Sequence, residues 1–444
     1  MTKLNNYIER IRRMDLSIGD IKRELREFRD ETARSLDHTE TAAAIAARRA
    51  SLRRAAARVV VLVHNPTVWS SLDELVRLMD DAPDFEPIVV SIPHHYSGLG
   101  PNHGEAEVHD VLEAAGVEHV RLPDAAIGSA TALLRALDPD IVIRQSQWDQ
   151  DVDDAFSTDA LAWARTILVP YGTLNVIQNV PWGDPPVNSA VDTAWHRACW
   201  LVFVANETVL RIARRDSLTG GRQFRALGHP KADAVREVEP VWPVPERDGA
   251  RRPRVAWSAH HSILSGWNDF GVFPEMREGM LEWAADTPDV EFAFFHHPLL
   301  IDTIERPKSP VSPAEFQDWL ARWNALPNTA YWTGLYASAA AAADVVVTDG
   351  PSMLSESQIL GKPVLFVERP GHVPFNEIGE ILAEGVHLVS SAQEARARFG
   401  DILDDDPLAE VQRRNVRQLF GEPGAAGRIL DEIRAQIAVE RGEA

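Results

Sequence analysis

Short apolar runs alternate with amphipathic segments along most of the chain, and that alternation constrains the fold more than any other feature. RVVVLVHN (58–65) is a continuous apolar stretch ending in a polar turn, as a parallel strand buried on both faces requires. SSLDELVRLMDDA then has helical spacing, EPIVVSIP reads as a strand, and VHDVLEAAG as a helix closed by glycine. EHVRLP, IVIRQS, RTILVPYG and CWLVFVAN continue the strands, and LGHPKAD (227–233) is the turn that ends another. Strands separated by helices of about 10–15 residues predict a doubly wound α/β domain.

VREVEPVWPVPERDGARRPR (235–254) is rich in proline and charge and reads as a linker. Beyond it the alternation resumes with RVAWSAHH, VEFAFFHHP, DVVVTDG and PVLFVERP as strands and MREGMLEWAADT, EFQDWLARWNAL and SMLSESQILG as helices. The expected organisation is a helical extension (1–57), a first Rossmann-like domain (58–234), the linker, and a second Rossmann-like domain with terminal helices (255–444). Two such halves imply a cleft, with ligands beyond the carboxyl ends of the strands.

In the extension, Leu4, Tyr7, Ile11, Met14, Ile18, Ile21, Leu25 and Phe28 follow alternating spacings of three and four. That is a heptad seam, which fits self-association into a homo-oligomer or packing of the helix on its own globular body. The net charge of −21 argues against nonspecific nucleic-acid binding. The single cysteine, Cys199, excludes an internal disulfide and a cysteine zinc cluster. No apolar run has the length of a membrane span, and the N-terminus lacks a signal-peptide centre. The expectation is a cytoplasmic protein, with peripheral attachment to the inner membrane face compatible with the sequence.

The chemistry concentrates at strand ends. In VVVTDGPSMLSESQILGKPVLF (345–366), Asp349 ends a strand, Ser352 is placed as a helix N-cap, and Ser355 and Glu356 fall in the first turn. A helix N-terminus with serine hydroxyls suits a phosphate, and a carboxylate one turn in can hold a ribose. A capping box explains the same spacing without a ligand. WSAHHS (257–262) and FFHHPLL (294–300) each put a histidine pair after an apolar strand, which offers a general base or a phosphate contact. Neighbouring histidines on a strand point apart, and no acidic ligands accompany them, so a metal is not expected. VPYGTLN (169–175) ends a strand at Tyr171, and Lys231 in LGHPKAD is placed to meet a phosphate.

Taken in order, VPYG, IQNVPWGDPPVNSAVDTAWHRACWLVFV leading to LGHPKAD, VAWSAHHSI, FAFFHHPLL and DVVVTDGPSMLSESQILGKPVLF resemble the CDP-glycerol glycerophosphotransferase family. That family builds teichoic acids and related capsular polymers on a GT-B fold, and the resemblance covers residues 140 to 435. It implies that Ser352, Ser355 and Glu356 hold the donor's diphosphate and ribose, with Asp349 in the same segment, and that His297 contacts the diphosphate. Lys231 stands where the family's turn often carries arginine, and Tyr171 near where many members carry a histidine base.

The implied function is transfer of glycerol phosphate, or a related polyol or sugar phosphate, from a CDP-linked donor to a hydroxyl of a polymer or lipid-linked acceptor, releasing CMP. His260 or His261 would take the acceptor proton. No cofactor is implied beyond the donor. Two alternatives are a GT-B glycosyltransferase using a nucleotide sugar, and a non-catalytic coiled-coil scaffold with a degenerate nucleotide-binding body.

Overall fold

The computed structural model describes residues 54–94, 102–177, 187–247, 249–266 and 268–443, with scattered helical positions between 22 and 47. Most of the heptad seam therefore lies outside the described residues; Leu25, Phe28 and Leu36 are helical and exposed. The first sheet is built from β1 (Ala57–Val63), β2 (Phe85–Ser91), β3 (His119–Arg121), β4 (Ile141–Arg144), β5 (Arg165–Leu168), β6 (Leu201–Val204) and β7 (Phe224–Ala226). Its order is β3-β2-β1-β4-β5-β6-β7, with each pairing parallel. The second contains β8 (Arg254–Ala259), β9 (Glu291–His296), β10 (Thr329–Tyr331), β11 (Val345–Thr348), β12 (Val364–Val367) and β13 (His387–Val389). It is ordered β10-β9-β8-β11-β12-β13 and is also parallel throughout. Helices cover both faces, so the central strands β4, β11 and β12 are buried along their whole length, as their unbroken apolar runs require.

The linker packs on the second domain. Val241 N donates to Ser338 O at 3.1 Å, and Trp242 Nε1 to Glu291 Oε2 at 2.8 Å. The last helix, Ala425–Arg441, departs from the expected organisation, which grouped it with the second domain. It packs on the first sheet, where Ile429 and Ile433 join the core around Val59 and Val61. Burying a side chain such as Ile433 contributes about 1.5–3 kcal/mol. Asp233 Oδ2 accepts from Gly424 N (3.0 Å) and Ala425 N (2.8 Å), caps this helix and ties the chain end to the first domain. Arg434 to Asp84 (2.7 Å) and Glu440 to Arg165 (2.6 Å) complete the attachment.

The two domains touch beside the expected cleft. Ile177 and Phe375 form an antiparallel bridge, and Asn376 N donates to Val176 O at 3.0 Å. Gly379 is needed here, because a Cβ at that position would come within 2.1 Å of Val176 O. Among the described residues no helix is long and apolar enough to cross a membrane.

Candidate functional site

Both sheets reverse strand order at their centres, between β1 and β4 and between β8 and β11. Ligand sites form at such points because the flanking connections diverge and leave a crevice. In the second sheet the crevice is bounded by His260, just past β8, and Asp349, just past β11. Asp349 is fully enclosed. It accepts from His260 N (2.6 Å) and Val272 N (2.7 Å), so it clamps the loop leaving β8 rather than facing a ligand. Burial raises its pKa to about 7 against the pull of these amides.

His260 and His261 lie beyond the end of β8, so the alternation of a strand does not separate them. Their ring centroids are 4.5 Å apart, and His297, after β9, is 4.3 Å from His261 and 5.4 Å from His260. Ser262 Oγ accepts from Phe270 N (3.0 Å) and Gly271 N (3.2 Å), so its proton goes to His260 Nδ1 at 2.8 Å. Leu299 N donates to His297 Nδ1 at 3.2 Å. Both neutral rings therefore carry their proton on Nε2. Burial depresses all three pKa values, that of His261 to about 4, and keeps the cluster uncharged at pH 7. One ring nitrogen from each lies within 4.8 Å of the others, a spacing a metal ion could use. On two of the three rings the nitrogen outside these hydrogen bonds is an N–H rather than a lone pair, which suits an anion. His296 is structural: Nδ1 donates to His297 O and Nε2 accepts from Tyr331 Oη, both at 2.8 Å.

The helix that follows β11 spans Pro351–Ile359, with Gly350 at its N-cap. Ser352 is thus not the cap; it is the second helical residue and is exposed. The shift arises because Pro351, with its fixed φ and missing N–H, is the favoured first helical residue. Ser355 and Glu356 consequently fall in the second turn, and both are buried. Ser355 Oγ donates to Ser352 O (2.9 Å) and receives a bond from Thr173 Oγ1 (3.3 Å) in the first domain. Glu356 Oε1 accepts from Lys231 Nζ at 2.7 Å, so two residues expected to grip the donor hold each other across the domain interface.

Around this pair stand Tyr336, whose ring centroid is 5.7 Å from Lys231 Nζ, and Tyr171 and His297, both within reach of the Lys231 charge. Burial opposes the ammonium, but Glu356 and Tyr336 outweigh it and raise its pKa. Burial and Asp151 raise the Tyr171 pKa, so its phenol stays protonated and is no base at neutral pH. The nine singled-out residues thus gather around one interface, with their internal partners differing from expectation. Thr173, Ser262 and Tyr336 were not anticipated. The serine two places after the first histidine was visible in AHHS, whereas Tyr336 opens an alanine helix that carries no motif.

Two parallel-sheet Rossmann-like domains, with this cluster at the switch point of the second, define a GT-B-like α/β fold. No family model matches the chain. The chain is 35% identical over 101 residues to the UDP-N-acetylglucosamine–N-acetylmuramyl-(pentapeptide) pyrophosphoryl-undecaprenol N-acetylglucosamine transferase of Flavobacterium psychrophilum. That match takes in 21% of this chain and 27% of the transferase, so the chain spans about a quarter of that relative's length. Similar solved structures include a putative UDP-N-acetylglucosamine 2-epimerase from Listeria monocytogenes (TM-score 0.57, 17% identity, 86% of this chain and 97% of that one). The UDP-GlcNAc 2-epimerase from Neisseria meningitidis bound to UDP-GlcNAc is similar too (TM-score 0.57, 14% identity, 85% and 100%). The Methanocaldococcus jannaschii enzyme in complex with UDP-GlcNAc and UDP has TM-score 0.53, 14% identity, and coverage of 85% and 99%. At these identities the structures establish the fold.

Proposed function

We propose that the chain is a GT-B-type transferase that binds a nucleoside-diphosphate-linked donor between the helix Pro351–Ile359 and the three histidines, and delivers the activated group to an acceptor hydroxyl on the first domain. The observation that carries this reading is the His260–His261–His297 cluster, with Nε2–H fixed on two rings, near a helix N-terminus and the Lys231 ammonium. Neutral N–H donors are already desolvated, so they stabilise a diphosphate without reorganisation as charge builds on the leaving nucleotide. His260 has Nδ1 engaged and Nε2 protonated, so it serves as a donor and not as the base. His261 takes the acceptor proton, because the other two rings carry theirs on Nε2; its pKa of about 4 rises toward the working range once donor charge offsets burial. Lys231, released from Glu356, supplies a formal charge, and Glu356 is then available to ribose hydroxyls.

A nucleotide sugar is the donor we favour, because the relatives found by sequence and by structure act, by name, on UDP-linked N-acetylglucosamine. Transfer from CDP-glycerol is the second reading, favoured by the ordered motifs from VPYG to GKPVLF. The acceptor is a glycan or a lipid-linked polymer in either case. Incubation with UDP-GlcNAc, UDP-glucose and CDP-glycerol, with the released nucleotide resolved by chromatography, separates them. UDP supports sugar transfer or epimerase-like cleavage, and CMP supports phosphotransfer. His297→Ala should cut the rate about 10²–10³-fold. Calorimetric binding of UDP or CDP without turnover would favour the scaffold, and no binding of either would remove the donor-site reading altogether.

A further inference from the structure

Two contacts between the domains differ in kind. In one, backbone and exposed charges meet. Ile177 and Phe375 form the antiparallel bridge, Asn376 Nδ2 donates to Asn175 O at 2.9 Å, and Glu377 accepts from Arg215 at 2.8 Å. The other is made by side chains that a donor would need. Lys231, on the first-domain helix Pro230–Arg236, meets Glu356 with only 8% and 3% of the two side chains exposed. Beside Glu356, Ser355 is reached by Thr173 at 3.3 Å. The chain returns to the first domain through Gly421 and Gly424, between the helices Ala409–Phe420 and Ala425–Arg441. Their φ values of 60° and 92° favour glycine, and such a crossing can turn as domains move. The first contact is thus built as a pivot, and the second as a clasp across the donor pocket.

On the reading that the donor lies here, we propose that the Lys231–Glu356 pair is a latch between the domains, released only by a ligand that offers an anion to Lys231 and a diol to Glu356 together. Breaking a buried ion pair strands both charges away from water, so removing one partner is costly. A phosphate alone satisfies the ammonium and leaves the carboxylate stranded. A nucleoside alone does the reverse. A nucleoside diphosphate satisfies both at once, so for it the exchange of partners is nearly even. Tyr336 stands on both sides of that exchange: its ring centroid is 5.7 Å from Lys231 Nζ, and its phenol is within hydrogen-bonding reach of Glu356. Selection between a complete donor and free phosphate then falls to the clasp rather than to the histidines, whose N–H groups accept any anion.

Distances between nitroxide labels at Ala136→Cys and Ala397→Cys, measured on the full chain by pulsed electron paramagnetic resonance, test this. Both positions are exposed, one on each domain, and the native Cys199 is buried. Without nucleotide, Glu356→Gln should raise the population of longer distances about 10-fold. Lys231→Met should do the same, and takes its place if Glu356→Gln does not fold. Saturating UDP or CDP should lengthen the distance in the labelled chain with the pair intact, whereas pyrophosphate or uridine alone should not. Distances unchanged in both variants, or lengthened by pyrophosphate as far as by UDP, would overturn the proposal. Lengthening in both variants with no response to UDP or CDP would support the latch and remove the donor reading on which its trigger rests.

Discussion

The switch points of the two sheets share a topology and differ in how their charged residue is satisfied. In the first, His64 follows β1 and Arg144 ends β4; in the second, His260 follows β8 and Asp349 follows β11. Arg144 is closed in by side chains and carbonyls of its own domain. It donates to Ser146 O (2.7 Å), Asp149 Oδ1 (2.9 Å) and Phe156 O (2.8 Å), and its guanidinium lies 3.7 Å from the Trp195 ring centroid. Asp349 spends both oxygens on backbone amides. The first charge fills its crevice, whereas the second shapes a loop and leaves three imidazoles gathered beside it. A shared fold therefore does not make the two crevices equivalent; the partner of the buried charge decides which one is open to chemistry.

Acid should break this comparison most strongly. His64, His196 and His229 in the first domain are held neutral chiefly by burial, with pKa values lowered to about 3, 3 and 4. A base with a depressed folded pKa contributes stability that is complete above its unfolded value, near 6.5, and is lost as pH falls below it. At pH 5.5 each histidine should cost about 1.4 kcal/mol, together about 4 kcal/mol. In the second domain His260, His261 and His297 lose stability in acid in the same way, but Asp349 works against them: its raised pKa makes it stabilising as pH falls from 7 toward 3.8 and offsets part of their cost. Hydrogen exchange at pH 7 and 5.5 should show the first domain opening sooner. Equal loss of protection in both domains would mean that Asp349 supplies no such offset.

Next in size is Arg144→Leu, which takes the donor from the carbonyls of Ser146 and Phe156 and leaves Asp149 to Thr158 alone, and should lower urea-unfolding stability by about 3–4 kcal/mol. Asp349→Asn should cost less, about 1–3 kcal/mol, since its carbonyl still accepts one amide. It should nevertheless weaken nucleotide binding more, by displacing the His260 loop. The reverse ranking in both measurements would mean that the first crevice is the ligand site.

Lys231→Met leaves Glu356 buried without its partner and should cost about 3 kcal/mol. Adding Glu356→Leu should recover most of that loss, because the desolvated charge goes with it. A fully additive double-mutant cycle would show that the two side chains do not meet in solution.

The long apolar runs made the architecture legible. β1, β4, β8 and β11 are continuous buried strands whose flanking helices have clear spacing, so the doubly wound order followed from pattern alone. The strands β10 and β13 were not anticipated, although β3, equally short, was read from EHVRLP. The histidines of the site were legible because they end strands, but their tautomers were not, since Ser262 and Leu299 set them through loop geometry. The Lys231–Glu356 pair joins residues 125 positions apart, and no local pattern encodes that meeting.

The smallest effect on stability should come from Ser352→Ala. Its side chain is exposed near the start of the helix after β11, so unfolding should change by less than about 0.5 kcal/mol. If the donor's diphosphate rests there, one charge-assisted hydrogen bond is lost and nucleotide affinity should fall about 10-fold. Ser355→Ala is the matched control. Ser355 is buried, bonded to Ser352 O and reached by Thr173, so its loss should cost about 1 kcal/mol of stability with little change in affinity. Calorimetry with UDP and CDP on the two variants distinguishes a hydroxyl that meets the ligand from one that joins the domains. Were Ser355→Ala to lose affinity while Ser352→Ala kept it, the diphosphate would have to sit deeper, against the Lys231–Glu356 pair.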